Sequence, residues 1–232
     1  MNWRKMLARL NPRSPSPFLG SGGVPEFTAQ DIAAALGMVR NHLGREVICL
    51  VWWPDGAKLT LDQLRLVTLE AMLGEWNERA HCVAVAKYEL MRAQAKYEAK
   101  RVTRGPEYRE LQQAQGKLDA AKRQAWPTAP GAYPRIVDAV LHEIATPNLC
   151  ATCHGTGVVL DALDVPRTCP DCGGHGVVAV SDRARARAIE RDHKTYAEAW
   201  AGVYEWTLRL LRDAEAEAGK QISRALRTEE AA

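Results

Sequence analysis

Two segments of this chain carry the same chemistry: Cys150-Ala-Thr-Cys153-His-Gly-Thr-Gly and Cys169-Pro-Asp-Cys172-Gly-Gly-His-Gly. Both fit C-x-x-C-x-G-x-G, and fifteen residues separate the inner cysteines. Each C-x-x-C can set two thiolates on one ion, and four thiolates complete the closed tetrahedral shell of a structural zinc. A chain that curls round a metal needs positive φ and amides close to sulfur, and glycine allows both. The pattern predicts one structural Zn2+ held by Cys150, Cys153, Cys169 and Cys172. A catalytic zinc would keep one position open for water, whereas four cysteines fill the shell. His154 and His175 follow the pairs and are expected to point outward rather than replace a thiolate. A redox role for either C-x-x-C is disfavoured by the glycine-rich, paired arrangement. Cys153→Ser is expected to release the metal and collapse the fold, because in such modules metal binding supplies folding free energy.

Nothing else in the chain resembles a reaction centre. There is no Ser/His/Asp arrangement at motif spacing, no phosphate-cradling loop and no dinucleotide fingerprint, so an enzyme is not expected. Asp161, Asp164 and Asp171 could be read as a carboxylate cluster for a divalent ion in a nuclease, but their place between the cysteine pairs reads as turn chemistry.

The second feature with chemical potential follows the cysteines. Helices are expected over about 182–191 and 196–218, the second capped by Thr195-x-x-Glu198 and the two joined by Asp192-His193-Lys194. That is the short joint of a helix-turn-helix. Arg183, Arg185, Arg187, Arg191 and Lys194 would then contact phosphates, which set affinity and its salt dependence. A solvated basic helix packed on the core fits the same spacing, and both readings stay open. Tyr196, Trp200, Val203, Tyr204, Thr207, Leu208 and Leu211 share one face, which reads as core.

The elements that must position these groups are mostly helical. Residues 1–25 hold Arg4, Lys5, Arg9 and Arg13 with no acid before Pro15, Pro17 and a glycine cluster, and read as a flexible basic arm. Residues 26–149 form a helical region. A first helix starts at Thr28-x-x-Asp31 and runs to about Arg40; Val47 to Trp53 reads as a buried strand or extended segment. A second helix starts at the capping box Thr60-x-x-Gln63. Residues 86–125 carry ten Lys/Arg against five Asp/Glu, broken at Gly105-Pro106, and read as a charged helical hairpin. A short helix spans about Ile136 to Ile144. Residues 150–180 form the zinc module, with Val158-Val159 and Val177-Val178 as strands of its hairpin, and residues 181–232 form the last helices and a frayed tail.

The 232 residues are 47% hydrophobic, enough for a core, and the net charge of +3 permits nucleic-acid binding without demanding it. No apolar run reaches the roughly twenty residues of a membrane span. The basic N-terminal stretch lacks the apolar segment of a secretory signal. With four of six cysteines in metal spacing, a reducing cytoplasm is the expected compartment. Cys49 and Cys82, in apolar stretches, are expected to be buried thiols.

The order Cys-x-x-Cys-His-Gly-Thr-Gly, spacer, Cys-x-x-Cys-x-Gly-x-Gly and helix pair resembles the Q antitermination proteins of lambdoid phages. Thr28-Ala-Gln-Asp31-Ile-Ala-Ala-Ala-Leu-Gly-Met38 is similar to that family's N-terminal helix, and Ser181 to about Leu211 to its segment after the second cysteine pair. The resemblance is most specific across residues 150–211; residues 86–125 depart from it. It implies a transcription antitermination factor, in the cytoplasm of a bacterial host, that binds double-stranded DNA at a late promoter; a monomer is the expected oligomeric state. Such a factor engages paused RNA polymerase with its sigma factor and lets it read through terminators. It implies DNA contacts from the region of Arg187, Arg191, Lys194, Thr195 and Glu198. C-x-x-C-x-G-x-G is also the repeat of DnaJ zinc domains, so a chaperone accessory is a rival, although those carry four copies and this chain two. The expected fold is mainly α: a helical domain with an inserted DnaJ-like CxxCxGxG four-cysteine zinc module containing a short β-hairpin, and a C-terminal helix-turn-helix-like pair.

Overall fold

The computed structural model describes residues 28–100, 105–160, 165–174 and 176–229. The expected basic arm, Asp161, Asp164 and His175 lie outside these residues. As expected, the chain is mainly helical, with one small two-stranded antiparallel hairpin and a cluster of four cysteines.

Helix α1 (Ala29–Gly37) starts where its cap dictates. Thr28 Oγ1 accepts from Asp31 N at 3.2 Å while the Asp31 carboxylate accepts from Thr28 N at 2.7 Å. The hydrogen bonds from Thr28 hold the Asp31 carboxyl below the ordinary carboxylate range. Its inward face, Ile32, Ala35 and Leu36, is buried.

Helix α2 (His42–Trp52) corrects the extended segment expected at Val47–Trp53. A continuous apolar run cannot by its periodicity distinguish a buried strand from a helix buried on several sides. Here Asn41 caps the helix by accepting from Gly44 N at 2.9 Å. Val47 then packs into one hydrophobic cluster, and Ile48 and Cys49 into another. Burial pushes the Cys49 thiol up to about 11, against Arg45 and with Glu46. Gly44 lets α2 lie against the last helix: a Cβ there would sit 1.9 Å from Ala214 O. Beside it, buried Glu46 accepts from Lys58 N and Leu59 N, tying down the connection to the next helix.

Helix α3 (Leu61–Lys100) carries the expected capping box, with Thr60 N to Gln63 Oε1 at 2.9 Å and Gln63 N to Thr60 Oγ1 at 3.2 Å. It does not stop before the charged region. One 40-residue helix replaces the two that sequence periodicity separates. Helix α4 (Pro106–Gln124) returns along it, held by Lys96–Glu110 at 2.6 Å and Glu89–Lys117 at 2.8 Å. Arg79, Val83, Ala86, Leu90, Ala93 and Tyr97 recur every three or four residues and are buried or half-buried, facing Leu111, Ala114, Leu118 and Ala121. The hairpin is an antiparallel coiled coil whose alternating alanines suit close packing. Cys82, expected to be buried, is exposed on it, because position 82 falls outside that seam.

Helix α5 (Tyr133–Ala145) buries Ile136, Val137, Val140 and Leu141 against the start of α3 and the final helix. After the cysteine module come α6 (Asp182–Ala188), a helical turn (His193–Thr195), a π turn (Tyr196–Trp200) and α7 (Ala201–Glu229). The aromatic stripe is core: Tyr196, Trp200, Val203, Tyr204, Leu208 and Leu211 are all buried. Two expectations need correcting here. Asp192, not Thr195, is the cap, its carboxylate accepting from Thr195 N at 2.9 Å, and the reversal is made upstream by Glu190 at φ 54°. The fraying expected of the last dozen residues is not seen as far as Glu229, where α7 ends: Ile222 and Leu226 are fully buried in the cluster that holds Ile32 and Leu36 of α1. No helix among the described residues is long and apolar enough to cross a membrane.

Candidate metal centre and its basic flank

The cysteine module is built on two copies of one local device, offset by nineteen residues. In each copy a turn brings an amide back to the second cysteine: Gly157 N donates to Cys153 Sγ, and Gly176 N to Cys172 Sγ, both at 3.2 Å. The copies then interlock. Cys150 N donates to Gly176 O, and Cys169 N to Gly157 O, both at 2.9 Å.

Strand β1 (Val158–Leu160), leaving the first copy, pairs antiparallel with β2 (Pro166–Thr168), entering the second, in the register Val158 to Thr168. Val177, leaving the second copy, makes the matching bridge to Leu149, entering the first. This corrects the expected pairing of Val158-Val159 with Val177-Val178. Each copy's exit pairs with the other copy's entrance, a local two-fold arrangement. Thr152 and Asp171, also nineteen residues apart, are hydrogen bonded across it.

The glycines are required by this geometry. Gly157 has φ 74° and Gly176 φ 75°. A Cβ on Gly157 would lie 2.2 Å from Gly174 O, and one on Gly176 2.3 Å from Gly155 O.

All four cysteine side chains are buried and none is in a disulfide. Cys150 Sγ is 3.8 Å from Cys169 Sγ, Cys153 Sγ is 3.6 Å from Cys172 Sγ, and all four sulfurs lie within 4.8 Å of one another. A tetrahedron with metal–sulfur bonds of about 2.3 Å has edges of about 3.8 Å. Sulfur spacing, burial and amide donors therefore fit a metal ion with a closed four-thiolate shell, whose chemistry is to hold the two copies together. Comparison of the chain with protein-family models, curated proteins and solved structures finds no match.

The module runs straight into α6, and there the arginines divide. Arg187 is exposed, as are Lys194, Thr195 and Glu198 at the start of the following helix. Arg191 is half-buried with its guanidinium 5.8 Å from the Trp200 ring centroid. Arg185, grouped in the sequence reading with the phosphate-contacting cations, is instead buried. Its Nη2 and Nε donate to Glu143 Oε1 and Oε2 at 2.8 and 3.0 Å, and its Nη1 reaches Glu205. Tyr204 donates to the same Glu143 at 3.0 Å, and its ring centroid lies 5.0 Å from the Arg185 guanidinium.

Burial opposes the charge on Arg185, but the hydrogen bonds and charge of Glu143, with Glu205, outweigh it, and the guanidinium is held above its ordinary value. Burial, then the Glu143 charge, raises Tyr204 well above a free phenol. A helical period separates Arg183 and Arg187 from Arg185 by about half a turn of the helix, so the sequence did carry the signal that Arg185 points elsewhere. The amides of Gly157 and Gly176 were also legible, since both lie four residues after a second cysteine. Asp171 is engaged by Thr152 and shows no gathering of carboxylates among the described residues.

Proposed function

We propose that this chain is a zinc-stiffened transcription antitermination factor of the kind the Q proteins of lambdoid phages represent. It binds duplex DNA at a late promoter and engages RNA polymerase paused there with its sigma factor. The observation that carries the reading is the interlocked pair of C-x-x-C-x-G-x-G turns, with sulfur spacing suited to a closed shell, leading directly into a helix with exposed arginine. Four thiolates in a reducing cytoplasm select zinc by softness and tetrahedral geometry. The closed shell supports a scaffolding ion rather than a reactive one, in keeping with a chain that acts by binding. Arg187 and Lys194 supply phosphate contacts, Arg191 is steadied on Trp200, and Thr195 and Glu198 stand at the start of the helix that faces the groove.

The test is transcription in vitro from a late promoter through a terminator, with metal-loaded protein added or withheld. Added read-through that disappears with Arg187→Glu plus Arg191→Glu supports the reading; unchanged read-through at every protein concentration refutes it. A second reading, a peptide-binding accessory of the DnaJ type, is favoured by one observation. Leu149, Val158, Leu160 and Val165 are exposed on the module. Suppression of client aggregation by the intact protein, lost on Leu160→Lys, would select it.

A further inference from the structure

The coiled-coil hairpin has a second seam that nothing among the described residues covers. We propose that two copies of this protein pair through the outer face of α3, antiparallel, so that the two hairpins lie side by side as a row of four helices. This inference departs from the monomer expected from sequence and is independent of the transcription reading.

The outer face repeats the logic of the inner one. Asn77, His81, Ala84, Tyr88, Met91 and Ala95 recur at alternating steps of four and three residues, the spacing of a coiled-coil seam. The inner seam that meets α4 has the same steps displaced by two residues, about 200° around the helix. Every inner position from Arg79 to Tyr97 is buried or half-buried, and every outer position from Asn77 to Ala95 is exposed. At its centre Tyr88 is 61% and Met91 64% exposed, with Val85 also exposed beside them. A solvated helix face needs no large apolar groups at seam positions, whereas a helix that packs on two sides does.

Complementarity identifies the occupant as a second copy and fixes its direction. When Tyr88 is set against Met91 of the second copy, Met91 meets the second Tyr88. Ala84 then meets the second Ala95, so large residues fill the centre and small ones allow close approach on either side. Sulfur against an aromatic ring is itself favourable. Along the flanks Lys87 then faces Gln94, and Val85 faces Arg92, whose guanidinium already leans over Tyr88 at 6.0 Å. No like charges meet. A parallel pair would set Lys87 beside the second copy's Arg92, and the repulsion selects against it. Of the acids along this face, Glu89 is bonded to Lys117 and Glu110 to Lys96, and Glu98, the next seam position after Ala95, falls opposite His81 of the second copy.

Sedimentation of the full chain, metal-loaded, is the first measurement, with the expected mass twice that of one chain. Tyr88→Glu and Met91→Glu, each on an exposed position, should give the single-chain mass with helix content and bound metal unchanged. Disulfide trapping then reads the direction in a Cys82→Ser background. A mixture of Ala84→Cys and Ala95→Cys proteins should cross-link on mild oxidation, and Ala84→Cys protein alone should not. A wild-type chain that sediments as a monomer overturns the proposal, as does a dimer that survives both glutamates. Efficient cross-linking of Ala84→Cys to itself overturns the antiparallel pairing.

Discussion

Glu143 is the residue on which the last three helices converge. Its carboxylate takes two hydrogen bonds from Arg185 and one from Tyr204, with Arg212 at 3.8 Å. Breaking a buried pair from one side strands a charge away from water, so Glu143→Ala should destabilise the fold by about 3 kcal/mol or more, read by urea denaturation. Tyr204→Phe, which removes one hydrogen bond and leaves the pair intact, should cost only about 1 kcal/mol. The same region sets an alkaline limit. Burial raises Tyr133 and Tyr196 to about 12 and, helped by Glu143, lifts Tyr204 further. Each folded value lies above that of a free phenol, so the stabilisation is fully present below pH about 10 and is lost as pH rises through the folded values. Thermal unfolding followed from neutral to strongly alkaline pH should show a falling midpoint above that point, and Tyr204→Phe should soften the fall. Gly157→Ala forces a positive φ on alanine and drives its Cβ into Gly174 O. The backbone strain alone is about 1 to 3 kcal/mol, so metal affinity should drop roughly tenfold or more in a chelator competition.

At the scale of elements, the paired cysteine turns were readable because ligand type, spacing and glycine placement all point one way. The pairing of their flanking strands was not, because a local repeat does not say whether each copy closes on itself or on its twin. Val47–Trp53 was misread for a related reason: a helix wedged between two clusters shows no polar face. Helix α3 hid its length because it is apolar on opposite sides, so its pattern looks sparse on either one. The arginines of α6 look alike in sequence, and only the carboxylate brought in from α5 separates Arg185 from Arg187. Among the described residues, the module's apolar cluster is its own four cysteines with Val159 against them, separate from the clusters of the helical body. Cys153→Ser, or a strong chelator, should therefore release the metal and unfold residues 149–178 while most of the helical signal in circular dichroism remains. Retention of that signal would confine the collapse expected from sequence to the module, and its loss would extend the collapse to the whole fold.

The whole molecule rests on two apolar clusters that share α2. The larger joins α3, α5, α6 and α7, and the smaller joins α1 to the far end of α7. The smaller one spans nearly the full chain: Arg40 N donates to Gln221 Oε1 at 2.8 Å across 181 positions, and Ile32 and Leu36 lie against Ile222 and Leu226. Removing residues 219–232 should leave α1 open to protease while the larger cluster persists, a difference that limited proteolysis of the two chains would display. This clasp also imposes an order on synthesis. A ribosome delivers α1 long before α7, so the apolar side of α1 must wait, uncovered, until Ile222 and Leu226 have been made. A nascent chain stalled before its final turns would be a ready client for the cell's holding chaperones.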